Sequence, residues 1–205
     1  MAGSTVIVLL AAGEGRRFGS IKQLADIDGE PMVRRSARNA VDSGLPVIVV
    51  TGAEAERVEG ALTGLPLRVA RNEAWAEGMG RSLAAGIGEL RRSYPQATGA
   101  LVCLADQPVI GQALFEAMFA RHRVAGDRIL ASEHAGVTGP PVLFPRDCFE
   151  ALTDWSGALG AHALLERESA RVERFSDLEG IDVDTPEDLQ RVRTALGLPP
   201  RQTSV

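Results

Sequence analysis

An apolar, β-branched run, Thr5-Val6-Ile7-Val8-Leu9-Leu10, passes directly into the small-residue stretch Ala11-Ala12-Gly13-Glu14-Gly15-Arg16-Arg17-Phe18-Gly19-Ser20-Ile21-Lys22. A short segment that is apolar on both faces predicts a strand buried on both sides, the kind found in parallel sheets covered by helices. Ligands of such sheets bind beyond the carboxyl ends of the strands. The loop after Leu10 therefore stands where a ligand would lie.

The rest of the chain keeps the same rhythm. The pattern predicts a helix over 31–43, opened by Pro31 and closed by Gly44, a strand over 46–51, a helix over 53–62 and a short strand over 67–70. An amphipathic helix over 82–92, with Leu83, Ile87 and Leu90 on one face, precedes a strand over 100–104. Beyond Asp106 the alternation loosens into a helix over 112–125, strands near Ile129 and Val142, a helix over 161–168 and a strand over 172–175. Thr185-Pro186-Glu187-Asp188 reads as the capped start of a last helix reaching about Leu196. The expectation is an α/β, Rossmann-like three-layer α/β/α fold with a mostly parallel sheet and a small antiparallel region. Residues 1–197 form one domain in this reading, and 198–205 a frayed tail.

A net charge of -5 argues against bulk attraction to nucleic acid or to an anionic membrane, so any phosphate binding has to be local. Cys103 and Cys148 lie far apart in no metal-type spacing, which fits a reducing cytoplasm. The run from Val6 to Ala12 is too short to span a bilayer and has no basic segment before it. Lys22 is the only lysine in a chain that otherwise uses arginine, which suggests a position that needs a compact ammonium rather than a planar fork.

In the loop, alanines and glycines let backbone N–H groups approach phosphate oxygens, while Arg17 and Lys22 can neutralise a triphosphate. A dinucleotide fingerprint is disfavoured, because Phe18 stands at its last glycine position and Thr51-Gly52 replaces the acidic residue expected after the second strand. A Walker loop fails because Gly-Lys-Ser/Thr does not occur. Asp106 follows an apolar strand and reaches the same sheet edge, where a hard carboxylate suits Mg²⁺ completed by substrate phosphates. Asp182 and Asp184 alternate along an extended segment, and either can bring a second carboxylate; Asp184 is favoured, with helix capping as its alternative role.

The loop resembles the Leu-Ala-Ala-Gly-x-Gly/Ser-x-Arg-x-Gly-x-x-Lys signature of molybdenum cofactor cytidylyltransferases and related nucleotidyltransferases. Collinear matches continue through Gly29-Glu30-Pro31-Met32-Val33, Val50-Thr51-Gly52, the Asn72 to Leu83 stretch, Leu104-Ala105-Asp106-Gln107-Pro108, Pro141-Val142-Leu143-Phe144 and Asp182-Val183-Asp184-Thr185-Pro186. The resemblance implies transfer of CMP from CTP to molybdopterin with release of pyrophosphate, and Mg²⁺ as cofactor. It makes Lys22, Arg17 and Asp106 catalytic. Leu10, Ala11, Ala12, Gly13, Gly15, Thr51, Gly52, Asn72, Gly78 and Ser82 join Arg17 and Lys22 in nucleotide binding. Asp106 and Asp184 hold the metal, with Asp182 as a further candidate. Ser82 has N-cap of the following helix as its other reading. The guanylyltransferase branch usually reads Leu-Ala-Gly-Gly, so Ala12 leans toward CTP.

Three polar positions of the family pattern differ: Pro140 and Ala158 replace a histidine and an aspartate, and His162 replaces an arginine. These changes bear on the acceptor, which leaves a sugar phosphate or another phosphorylated compound, with GTP or ATP as donor, as an alternative. A non-catalytic cofactor chaperone of the same fold and a nicotinamide-dependent oxidoreductase are the readings from other classes. The expected partners are small molecules, with transient contact to a molybdoenzyme or its chaperone. His122 and His134, the latter read as a loop residue, have no supporting constellation, and Trp75 and Trp155 are read as core or rim packing residues, with stacking on a pterin or base as their alternative role.

Overall fold

The computed structural model of the protein describes residues 4–134, 136–154, 161–175 and 181–199. Trp155, Ala158 and the last six residues of the tail lie outside them. The first strand, β1 (Thr5–Leu10), is buried along its whole length. A two-stranded antiparallel ribbon follows, β2 (Asp26–Ile27) and β3 (Glu30–Pro31), and then α1 (Met32–Val41). Strand β4 (Val47–Thr51), α2 (Ala55–Ala61), β5 (Arg68–Arg71), α3 (Met79–Ser93) and β6 (Gly99–Leu104) complete the first, regular half. The second half consists of α4 (Gln112–Val124), β7 (Ile129–His134), β8 (Val137–Pro145), α5 (Phe149–Thr153), α6 (His162–Arg167), β9 (Val172–Phe175) and α7 (Pro186–Ala195).

The main sheet runs in the order β5-β4-β1-β6-β8-β7-β9. Strands β5, β4, β1 and β6 pair in parallel, as do β7 and β9, whereas β8 is antiparallel to both β6 and β7. This is the mostly parallel Rossmann-like sheet with an antiparallel region. Alternation along β1 distributes its side chains to two cores. Val6, Val8 and Leu10 pack with Leu83, Ile87 and Leu90 of α3 and with Phe149 and Leu152 of α5. Ile7 and Leu9 pack on the other face with Val33 and Ala37 of α1 and Leu114, Phe115 and Met118 of α4. Period-2 strands between period-3.6 helices thus give three layers. Among the described residues no helix is long and apolar enough to cross a membrane.

A third, smaller core matters most for the site. Ile27, Met32, Val183 and Val192 are fully buried together, with Phe18 packed against them. It joins the end of the small-residue loop to the segment before α7. Thr185 caps that helix: its Oγ1 accepts from the Asp188 amide at 3.2 Å, and its own amide donates to Asp188 Oδ2 at 3.0 Å. Capping boxes of this kind satisfy two otherwise orphaned donors.

Local chemistry changes four boundaries read from the sequence. Pro31 pairs with Asp26 in the ribbon, so α1 begins one residue later. Glu54 is left-handed (φ 52°), which delays α2 to Ala55. Gly78 (φ 118°) turns the chain out of a 3-10 turn, Trp75–Glu77, into α3, which starts at Met79. Ser82 therefore lies inside the helix rather than capping it. His134 ends β7, paired with Val137, rather than lying in a loop.

Candidate active site

Beyond the carboxyl ends of β1 and β6 lies a cleft of about 450 Å³. The loop is tied to the sheet as it leaves β1: the Ala11 amide donates to the Val50 carbonyl at 2.8 Å, and the Ala53 amide to the Ala12 carbonyl at 3.0 Å. Two glycines are required by geometry. Gly15 has φ +66°, and a Cβ there would stand 2.7 Å from Lys22 Cβ. Gly52 lies so close to the loop that a Cβ would stand 2.8 Å from Ala12 Cβ and 2.6 Å from Trp75 Cβ. The loop turns back at Gly15 and delivers Lys22 into the cleft.

Lys22 Nζ donates to Asp106 Oδ2 at 2.8 Å and to Asp184 Oδ1 at 3.0 Å. Arg17 Nη2 holds the other oxygen of Asp184 at 2.8 Å. The segment carrying Asp184 is pinned beside Asp106 by a hydrogen bond from the Val183 amide to the Asp106 carbonyl at 2.9 Å. Burial pushes the Asp106 carboxyl above the usual carboxylate range; the Lys22 ammonium opposes this, and Asp182 and Asp184 add to the rise. Burial also works against the charge on Lys22, but the field and hydrogen bond of Asp106, joined by Asp184, hold the ammonium above its ordinary value. Burial thus raises the Asp106 carboxyl, and the carboxylates beside Lys22 raise its ammonium.

Of the residues picked out in the sequence, Leu10, Ala11, Ala12, Gly13, Gly15, Lys22, Gly78, Ser82, Asp106 and Asp184 line the one cleft. Arg17 joins it through Asp184. The other four stand elsewhere. Thr51 is fully buried, and its hydroxyl donates to Glu59 Oε1 at 2.8 Å. Gly52 and Asn72 line a neighbouring depression, and Asn72 supports Ser82 by donating to its Oγ at 3.0 Å while accepting from the Ala74 amide. Asp182 accepts from Gln107 Nε2 at 2.8 Å and is not among the residues lining the cleft.

Two glutamines were not singled out by pattern. Gln23, adjacent to Lys22 and buried, donates from Nε2 to the carbonyls of both Ala11 and Gly13. That amide holds the loop's carbonyls inward. A buried amide beside the single lysine is the signal that marks it. Gln107 bridges Asp182 and the Pro140 carbonyl, the latter at 3.3 Å, and so links the position of the altered Pro140 to the segment before α7.

The two carboxylates suit a hard divalent cation. Asp106 Oδ1 is buried with no hydrogen-bond partner, a bare oxygen next to the cleft. Among the described residues no group of three or more His, Cys, Asp or Glu gathers as a closed metal cage. One or two carboxylates with the remaining positions left to phosphate and water is the Mg²⁺ pattern. By contrast His122, buried against the opposite end of the sheet, has its pKa lowered by burial, and Cys103 and Cys148 are buried and form no disulfide.

Residues 7–172 match the MobA-like NTP transferase domain. A probable molybdenum cofactor guanylyltransferase of Natronomonas pharaonis is 30% identical over 92% of this chain and 96% of its own. A nicotine blue oxidoreductase of Paenarthrobacter nicotinovorans is 29% identical over 90% and 94%. The crystal structure of Rv0371c from Mycobacterium tuberculosis superposes with a TM-score of 0.79 at 26% identity, covering 95% of this chain and 99% of that one. A further structure of Rv0371c, a complex with manganese, gives 0.74 at 25% identity, over 95% and 100%.

Proposed function

Because the chain belongs to the MobA-like NTP transferase domain family, we propose that it transfers CMP from CTP to molybdopterin with Mg²⁺ as cofactor, releasing pyrophosphate. The observation that carries this reading is the Lys22–Asp106–Asp184 cluster facing the small-residue loop across one cleft. A phosphate oxygen of the acceptor forms the new bond to the α-phosphorus, and the bond from that phosphorus to the pyrophosphate oxygen breaks. No protein nucleophile is involved, and an ionised acceptor phosphate has no proton to lose.

Positioning and charge neutralisation then carry the catalysis. Backbone N–H groups of the loop cradle the triphosphate, with Gln23 holding the adjoining carbonyls away from it. Lys22 and Arg17 offset the charge that grows on the leaving pyrophosphate. Asp106 and Asp184 would hold the Mg²⁺, which would supply charge neutralisation to the phosphate oxygens. Ser82, oriented by Asn72, offers its hydroxyl to the pyrimidine edge.

The choice of CTP rests on Ala12. Its methyl is buried against Gly52, at the position where the guanylyltransferase branch usually has glycine. A nucleotide panel tests this: pyrophosphate release should be greatest with CTP plus molybdopterin, and Ala12→Gly should raise the share of GTP. Asp106→Ala should abolish release while the protein stays folded. Absence of turnover with CTP plus molybdopterin removes the reading, and turnover with GTP alone moves the protein to the guanylyl branch.

The resemblance to a nicotine blue oxidoreductase supports a second reading, an oxidoreductase, for which a nicotinamide dinucleotide is the cofactor to test. Phe18 bears on it: the ring fills the small core with Ile27 and Val183, at a position where a dinucleotide loop needs a glycine. Tight NADH binding in a fluorescence titration would favour this reading over transfer.

A further inference from the structure

Lys22 occupies one oxygen of each carboxylate that would hold a divalent cation. Its ammonium touches Asp106 Oδ2 and Asp184 Oδ1, and with Arg17 on the far oxygen of Asp184 the two carboxylates are balanced by two cations. A Mg²⁺ that took those same two oxygens would compete with the ammonium for them, because each needs close contact with the same pair. On that pair of oxygens the two cations exclude each other.

We infer that Lys22 is an exchangeable internal cation, which yields Asp106 and Asp184 to the metal and passes its ammonium to the nucleotide's phosphates. The inference rests on the proposed metal site and adds the order of binding. Metal alone would take from the ammonium its two carboxylate partners and set it next to a doubly charged ion. Metal arriving with a triphosphate brings the anion that the ammonium needs. Metal and nucleotide therefore bind cooperatively, and Lys22 is the coupling group.

Residue chemistry favours this role. An ammonium on a flexible stem has three donors that can be redirected, whereas a guanidinium tends to lock as a planar fork on one carboxylate. That accounts for a single lysine in a chain that uses arginine elsewhere. The bare Cα of Gly15 lets the stem pass close to the loop, since a Cβ there would be 2.7 Å from Lys22 Cβ. The bare, buried Oδ1 of Asp106 offers an arriving cation an oxygen that the ammonium does not use.

Binding of Mn²⁺ followed by electron paramagnetic resonance, with and without a non-hydrolysable CTP analogue, tests the exchange. Wild type should bind Mn²⁺ at least tenfold more tightly with the analogue than without it. Lys22→Met should bind Mn²⁺ alone at least tenfold more tightly than wild type and lose most of the coupling, whereas Lys22→Arg should bind Mn²⁺ alone as weakly as wild type. If Lys22→Met folds poorly, its melting temperature should still rise with Mn²⁺ alone, a response absent from wild type. Equal affinity of wild type and Lys22→Met for Mn²⁺ alone, or unchanged coupling in Lys22→Met, overturns the exchange but leaves the metal site standing. Failure of wild type to bind Mn²⁺ in either condition overturns the metal site itself.

Discussion

Replacing three loop glycines one at a time separates backbone strain from steric contact. Gly13 has no positive φ and nothing within 4 Å of a built Cβ; Gly19 has φ +75° and the same open space; Gly15 has φ +66° and Lys22 Cβ at 2.7 Å. Gly13→Ala should change stability by less than about 0.5 kcal/mol, as for a surface site free of special features. Gly19→Ala bears the left-handed penalty of an L-residue, about 1–2 kcal/mol. Gly15→Ala adds overpacking against a side-chain carbon next to the backbone, about 1–3 kcal/mol, for a total of roughly 2–5 kcal/mol. In a chain of this size each kcal/mol lowers the melting temperature by about 2–4 °C. Thermal melts give the stabilities, and pyrophosphate release gives the activity. Gly15→Ala should also lose roughly 100-fold in turnover, because a displaced Lys22 disturbs alignment with the phosphates. Gly13→Ala should weaken nucleotide binding without unfolding the protein, since its methyl would project toward the triphosphate. Equal melting temperatures for Gly15→Ala and Gly19→Ala would refute the contact with Lys22. Wild-type turnover in Gly15→Ala would refute the role of the loop in aiming it.

Two other sites give independent tests. Glu59 receives hydrogen bonds from Arg71 and Thr51 at the end of β4, and these, Arg71 first, hold its carboxyl below the ordinary 4.5. A lowered folded value means stability that is present above about pH 4.5 and is lost as pH falls through the lowered value; Glu59→Gln should flatten the melting temperature over that acid window, and an unaltered pH profile would discount the pairing. Gln23→Leu fits the buried volume but releases the Ala11 and Gly13 carbonyls, so turnover at saturating nucleotide should fall about tenfold or more with little change in melting temperature; activity equal to wild type would remove Gln23 from the positioning of the loop.

Much of the architecture is written in local pattern. The apolar run of β1, the amphipathic spacing of α3 and the Thr185–Asp188 cap act over a few residues, so periodicity and capping chemistry reveal them in one dimension. The loop and Asp106 are legible for the same reason, since a ligand position follows from a buried strand and its carboxyl end. Lys22, by contrast, is separated from Asp106 by 84 residues and from Asp184 by 162. Their meeting depends on the β1–β6 register, on the Val183–Asp106 backbone bond and on the Phe18 core. Tertiary structure also decided which polar groups already have partners: Thr51 bonds to Glu59, Asp182 to Gln107, and Ser82 sits inside a helix whose start is set by the turn at Gly78. A hydroxyl or carboxylate looks equally available wherever it stands in a string of residues. Its remaining hydrogen-bonding capacity exists only once packing has brought distant donors and acceptors within about 3 Å of each other.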